Sequence, residues 1–382
     1  MTVKLRTVSG IGDVAKADWD ACLASTGAAY NPFTSHAFLE SLEVSGSATQ
    51  RAGWAPSHLL LEGDGKLAGV APAYVKSNSY GEYVFDHGWA DAYERAGGRY
   101  YPKLQVSVPF TPVTGPRLAA ATPDRRRMLA NGLIEVCRKL GLSSVHVTFA
   151  TEQEAEAFRT PEWLMREDIQ FHWNNDGYDR FDDFLGSLSS GKRKNIRKER
   201  QAVAESGVTF QRLTGSELTE KHWDHFFAFY MDTGSRKWGS PYLTRRFFSE
   251  IHARMTDDIL LVLAVRAGRP IAGALNFIGG DALYGRNWGA VEHIEFLHFE
   301  TCYYQAIDFA IERKLARIEA GAQGPHKLAR GYLPVKTRSF HHLAHPGLAR
   351  AVSDYLDSER RAVANEQALL AQHSPFRQED GL

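Results

Sequence analysis

The chain has 382 residues, 43% hydrophobic and 24% charged, enough for two globular domains with separate cores. Its 45 Lys and Arg balance its 45 Asp and Glu, so any nucleic-acid or anionic-membrane partner must use a local patch. Three widely spaced cysteines, Cys22, Cys137 and Cys302, argue against a disulfide scaffold and a zinc site. No apolar run approaches the roughly 20 residues of a membrane span, and the amino terminus lacks the apolar core of a secretory signal, so the cytoplasm is the expected compartment.

In chain order, residues 3–8 alternate like a strand, with short helical stretches at 19–23 and 36–44. Residues 58–62, a Gly-Asp-Gly turn at 63–65, and 67–75 read as a hairpin. The segment 81–117 is dense in aromatics, Gly and Pro and too irregular for a plain helix. Thr122-Pro123-Asp124 is an N-cap with proline at the first helical position; the helix behind it stops at Gly141, and 144–150 alternates as a strand. Thr151 and Glu154 make a capping-box pattern. Residues 181–188 form a helical turn or two, and Ser189 or Ser190 caps a basic helix, 190–206, ended by Gly207.

The second half predicts a strand at 208–213, helices at 216–231 and 244–255, strands at 259–266, 271–278 and 283–289, an amphipathic helix from Phe299, and a strand at 317–322. A surface helix at 349–372 follows. Residues 59–75 echo 259–278 in strand, turn, strand and an Ala-Gly pair, each with a later Trp (Trp89 and Trp288), as an internal duplication would. The expected division is therefore 1–176, 177–348 and a tail, 349–382.

Several groups carry possible chemistry. The basic helix holds Lys192, Arg193, Lys194, Arg197, Lys198 and Arg200, six positive charges in nine residues, suited to phosphate, with a solvated face the plain alternative. Past the last strand lie Gln323, His326, Lys327, Arg330 and Gly331. Glu319 on that strand could take a proton or orient the imidazole, and Lys327 or Arg330 could hold a carboxylate or phosphate; capping and surface salt bridges would also explain them. Asn276, Asn287 and Trp288 on adjacent strands offer amides for a peptide or acyl donor, although buried amides also satisfy backbone at bulges. Tyr83, Asp86, Trp89, Tyr100, Tyr101 and Lys103 combine aromatics, a carboxylate and an amine as a sugar- or peptide-binding cleft would, or form core aromatics. Trp238, in the loop GSRKWGSPY, is placed as a lid with Gly and Pro hinges. Cys302 reads as a small core residue.

The element order β-α-α-β-β-β-α-β with a polar loop after the last strand resembles the GNAT acyltransferase fold, a mixed-sheet α/β architecture. The string RKNIRKER at 193–200 is similar to the basic stretch before the second domain of FemAB-like proteins, tandem GNAT pairs that add amino acids to peptidoglycan precursors. GEYVFDHGWADAY, YYPKL, PFTPVTG and GAQGPHKLARGY resemble a FemAB-like subfamily labelled peptidoglycan biosynthesis or recognition. The resemblance implies an acyl or aminoacyl transferase acting on an amine acceptor, a peptide or small molecule, or alternatively a recognition module holding a cell-wall precursor between its domains. It implies no permanently bound cofactor and no metal, with aminoacyl-tRNA or acyl-coenzyme A as donor. Residues 295–301 carry no glycine where coenzyme A enzymes carry a Gly-rich pyrophosphate loop, and Glu300 would repel a diphosphate, which favours tRNA as the donor. Direct attack is the implied mechanism, with Glu319 or His326 as base.

Overall fold

The computed structural model describes residues 3–238, 241–321 and 324–377. The chain forms two compact units, Met1–Asp168 with Lys336–Asn365, and Ile169–Val335 with Glu366–Leu382. The crossings fall at 168/169 and 335/336, inside the strands Leu164–Asn174 and Leu333–Leu343, where the sequence suggested 176/177 and assigned 336–348 to the second domain. Pairing decides membership. Residues 338–343 ladder onto Ser144–Ala150 in the first unit, and 172–174 pair with Arg317–Glu319 in the second.

In the first unit Val3–Val8 lies antiparallel to His58–Gly63, which pairs with Lys66–Ala71. Pro72, lacking an N–H, breaks that strand, and Ala73–Lys76 continues beside Lys103–Val106, which runs parallel to Ser144–Ala150. The helix Pro123–Leu140 is capped by Thr122 and stopped by Gly141 in the left-handed region, as its residues predict. It buries Leu129, Leu133 and Cys137 against Leu59, Leu61, Leu104 and Val145; each large side chain contributes roughly 1.5–3 kcal/mol.

The second unit repeats this order. Val208–Thr214, Ile259–Arg266, Arg269–Ile278 and Ala282–Ala290 form an antiparallel meander, and Arg317–Glu319 joins it in parallel. Both hairpins close on two residues with positive φ, Asp64-Gly65 and Ala267-Gly268, the tight turn whose twist matches the strands. The duplication read at 59–75 and 259–278 is therefore expressed in topology. One sheet face carries the helices Phe181–Ser187, Ser190–Glu205 and Leu297–Glu312 over a core of Trp173, Leu260, Val262, Leu283 and Ile307. The other carries Glu220–Trp238 and Arg245–Met255. Gly289 permits close seating, since a Cβ there would lie 2.2 Å from the Phe229 backbone.

The expected lid at Trp238 is corrected: the helix continues through 232–238 to end at Trp238. An Asp232–Arg236 pair one turn apart and a bond from Arg236 Nη2 to Ala290 O (3.0 Å) support the extra turns. Among the described residues, no helix is long and apolar enough to cross a membrane.

Candidate active site

The parallel pairing of the second unit covers only Ala282–Tyr284 against Arg317–Glu319, while the first of these strands runs on to Ala290. The pairing stops at the carboxyl end of the shorter strand, the position where α/β sheets bind ligands. The strand itself spans Arg317–Glu319 rather than 317–322, since Gly321 takes φ 77° and turns the chain away.

Glu319 ends that strand and is buried. Its Oε1 accepts from Arg317 Nε (3.1 Å), while Arg317 Nη1 binds Asp281 Oδ2 at 2.5 Å. Among the described residues its Oε2 has no hydrogen-bond partner; it lies 3.8 Å from His172 Nε2, which also lacks one among them. Burial pushes the Glu319 carboxyl up to about 7 against the lowering pull of Arg317. Burial, with Arg317 and Lys327 adding to it, pushes His172 down to about 4. At neutral pH the contact is therefore a neutral imidazole facing a carboxyl group poised to gain or lose a proton, and not an ion pair.

The first unit provides an internal control. Its parallel pair closes on Val106 and Val147, as the second closes on Tyr284 and Glu319; two residues further on, Phe149 and Gly321 both adopt positive φ. Val147 is buried in a core where Phe340 stacks on Phe158 at 4.3 Å. At this point the acid exists in the second unit alone.

The loop past the strand is a short helix, Pro325–Arg330, ended by Gly331 at φ 89°. Lys327 is buried and donates to Gly321 O (2.9 Å); burial, with the Arg286 charge adding to it, lowers its pKa to about 8. Arg286 acts on Glu319 as well, so its field reaches both groups. His326 Nε2 meets the Tyr303 hydroxyl at 2.9 Å. The imidazole lies among rings: His298 at 6.1 Å, Phe299 at 5.6 Å and Tyr303 at 5.8 Å. Trp288 contacts His298 edge-on at 5.2 Å.

Opposite the loop, the helix beginning at Leu297 contains a π turn, Glu300–Tyr304, a local widening often found at functional sites. It places Glu300 inside, where burial raises its pKa, with Oε1 bound by Arg200 (3.1 Å) and Gln305 (2.8 Å). Arg200 also binds Asp308 at 2.7 Å. Glu199 accepts from Arg330 Nη2 at 2.7 Å and from the Tyr304 hydroxyl, and Arg330 lies 3.4 Å over the Phe299 ring. The inner edge of the basic helix thus fastens both the loop and the π turn.

The remaining expected residues divide. Lys192, Arg193, Lys194 and Lys198 have no carboxylate partner among the described residues, whereas Arg197 pairs with exposed Asp182 at 3.2 Å. Asn276 is corrected to a structural role, its amide donating to Leu260 O and Ala274 O (both 3.3 Å) beside a strand irregularity. Asn287 is half-buried on the next strand. Gln323 lies outside the described residues.

The expected cleft of the first unit is also corrected, because its charges are interior. Lys103 Nζ donates to Ser79 Oγ (2.8 Å), Glu82 Oε2 (2.7 Å) and Asp86 Oδ2 (2.5 Å), and Tyr100 donates to Asp86 at 2.7 Å. Burial opposes the Lys103 charge but Glu82 and Asp86 raise its pKa overall, so the amine stays charged against the two carboxyl groups. Trp89 is buried edge-on to His341 at 5.0 Å. Tyr101 binds Ser79 and lines a cavity of about 370 Å³ with Tyr93, Arg99, Ser143 and His345. Sequence reasoning missed His172, Arg286, Glu199 and Tyr304. The polar positions of Ile169-Gln170-Phe171-His172-Trp173 alternate with apolar ones, which marks His172 as facing away from the core side but not what it meets.

A strand order repeated in two units, each with a helix crossing its parallel pair, is that of tandem GNAT-like domains, and the chain is of this class. Its residues 10–378 match the family FemAB-like, described as peptidoglycan biosynthesis/recognition, and the chain belongs to that family. No curated protein matches it by sequence. Among solved structures it is similar to FemX, with 12% identity, a TM-score of 0.57, and 89% of this chain and 98% of that one covered. It is also similar to L-PGS from Bacillus licheniformis, with 9% identity, a TM-score of 0.54, and 95% and 98% covered. A conserved protein of unknown function from Bacteroides thetaiotaomicron matches with 12% identity, a TM-score of 0.51, and 89% and 100% covered. At these identities the likeness shows the fold.

Proposed function

We propose that the protein transfers an aminoacyl or acyl group to an amine on a peptidoglycan precursor or related peptide, using the groups around Glu319 in its second unit. The observation that carries this reading is Glu319, a buried carboxyl near neutrality whose Oε2 has no hydrogen-bond partner among the described residues and lies 3.8 Å from His172. A base of that strength suits removal of a proton from an attacking ammonium at neutral pH. Glu319 takes one proton from the acceptor ammonium, the amine nitrogen so freed bonds to the carbonyl carbon of the donor, the carbon–oxygen bond of the ester breaks, and the second proton lost by the nitrogen goes to Lys327 in place of the one it gives up. Lys327, charged at neutral pH but close to losing its proton, supplies a proton to the departing oxygen. The cations Lys192, Arg193, Lys194 and Lys198, without a carboxylate partner among the described residues, favour a polyphosphate donor such as aminoacyl-tRNA, and Glu300 in the π turn disfavours a coenzyme A diphosphate there. The test is incubation with a muramyl pentapeptide precursor and either aminoacyl-tRNA or acetyl-coenzyme A, followed by mass spectrometry. A mass gain on the precursor that Glu319→Gln abolishes supports the reading; precursor binding with no transfer from either donor replaces it with recognition alone.

A further inference from the structure

Buried charge is costly, and the first unit buries four charged groups together: Lys76, Lys103, Glu82 and Asp86. Their contacts converge on one segment. Lys76 Nζ donates to Tyr80 O (3.0 Å) and Asn78 Oδ1 accepts from Tyr80 N (3.0 Å), which pins the backbone on both sides of Tyr80. Lys103 pins Ser79, Glu82 and Asp86. Arg166 Nη1 donates to Phe85 O at 2.8 Å while its other nitrogens hold Glu359 at 2.8 and 2.6 Å. The loop 77–86 is therefore fixed from beneath at Ser79, Tyr80, Glu82, Phe85 and Asp86, and Val84 and the following Trp89 are buried in the core.

What this anchoring presents outward is aromatic. Tyr80 and Phe85 are 64% and 59% exposed, among the most exposed large hydrophobic side chains described, and His87 between them is exposed too. Both rings lie 6.3 Å from the His87 ring, Phe85 nearly parallel to it. Exposed rings held on a rigid base are what a binding surface needs, because little side-chain or loop entropy remains to be lost on contact. The charges beneath are neutralised, Arg166 by Glu359 and Lys103 by two carboxylates, so the surface suits a neutral partner with flat apolar faces and polar edges.

We propose that Tyr80, Phe85 and His87 form a stacking platform for the pyranose rings of a neutral N-acetylated glycan, with the buried Lys76–Glu82–Asp86–Lys103 network as its rigid base. The identity of the glycan rests on the peptidoglycan reading above; the platform itself does not. Titration of the full chain with tri-N-acetylchitotriose, followed by calorimetry, is expected to show weak binding. Tyr80→Ala/Phe85→Ala should weaken it at least tenfold with the unfolding temperature unchanged, and Glu319→Gln should leave it intact. Equal binding by the double variant overturns the platform, as does failure of the parent protein to bind the sugar. Association of the parent protein with phosphatidylcholine vesicles in place of the sugar also overturns it, in favour of a lipid interface. Loss of transfer with sugar binding retained would touch the catalytic reading alone.

Discussion

Replacing Glu319 by Gln separates stability from chemistry at the candidate site. Burial moves this carboxyl from 4.5 to about 7. The folded state therefore binds more protons than the unfolded state between those values, and stability falls as the pH rises through that window, the loss being complete above about 7. At about 1.4 kcal/mol per pH unit, the charged form costs the fold on the order of 3 kcal/mol at pH 8, a figure that needs no solvent discount because the side chain is 5% exposed. Glutamine keeps the shape and never ionises. Urea unfolding should therefore find Glu319→Gln more stable than the parent by on the order of 3 kcal/mol at pH 8, with the two converging near pH 4.5. Transfer activity should fall by roughly 10²–10⁴ at pH 7. A parent protein whose stability relative to the variant is flat between pH 4.5 and 8 would refute the reasoning, since the acid would then be solvated and no better a base than any surface carboxylate.

Lys103→Met should destabilise the first unit by roughly 3–5 kcal/mol, because it leaves Glu82 and Asp86 buried without their cation; thermal unfolding reads this directly. Arg193→Ala/Arg197→Ala should shift unfolding by no more than about 0.5 kcal/mol while weakening tRNA binding measured by filter retention. Glu199→Ala should free Arg330 and Tyr304, seen as faster amide exchange across 324–332 with the central strand Ile259–Arg266 unchanged. An exchange increase spread over the whole second unit would mean that Glu199 supports the core instead of the loop.

The regular scaffold was legible because its signals are local. Thr122-Pro123 and Gly141 bracket their helix, and Asp64-Gly65 turns its hairpin through backbone preferences of two adjacent residues. The family strings likewise carried the architecture. The site was legible only in part, since its pairings join residues remote in sequence. Glu319 and Lys327 could be singled out on a loop after a strand, yet nothing near Glu319 announces His172, and nothing in RKNIRKER distinguishes Arg200, tied to Glu300 and Asp308, from Lys198. Asp86 and Lys103 misled for a related reason: an acid and a base in an aromatic segment read as a wet cleft, whereas each satisfies the other inside the core. Trp238 misled because the Gly and Pro around it suggest a loop, while Asp232 and Arg236 carry the helix through.

The crossings of the chain within its two strands bear on how the protein is made. The strand segment 338–343, which pairs with Ser144–Ala150, leaves the ribosome after the whole second meander, and the helix Pro346–Gln372 that covers Trp89 and Tyr100 leaves later still. Amino-terminal domains ordinarily fold during synthesis, ahead of those that follow. Here the amino-terminal unit must wait with an unpaired edge at Ser144–Ala150 until residues 338–343 have been made, exposed to any extended segment that passes. A nascent chain arrested near Gly177 would carry that open edge, and would be the form of this protein most in need of a chaperone.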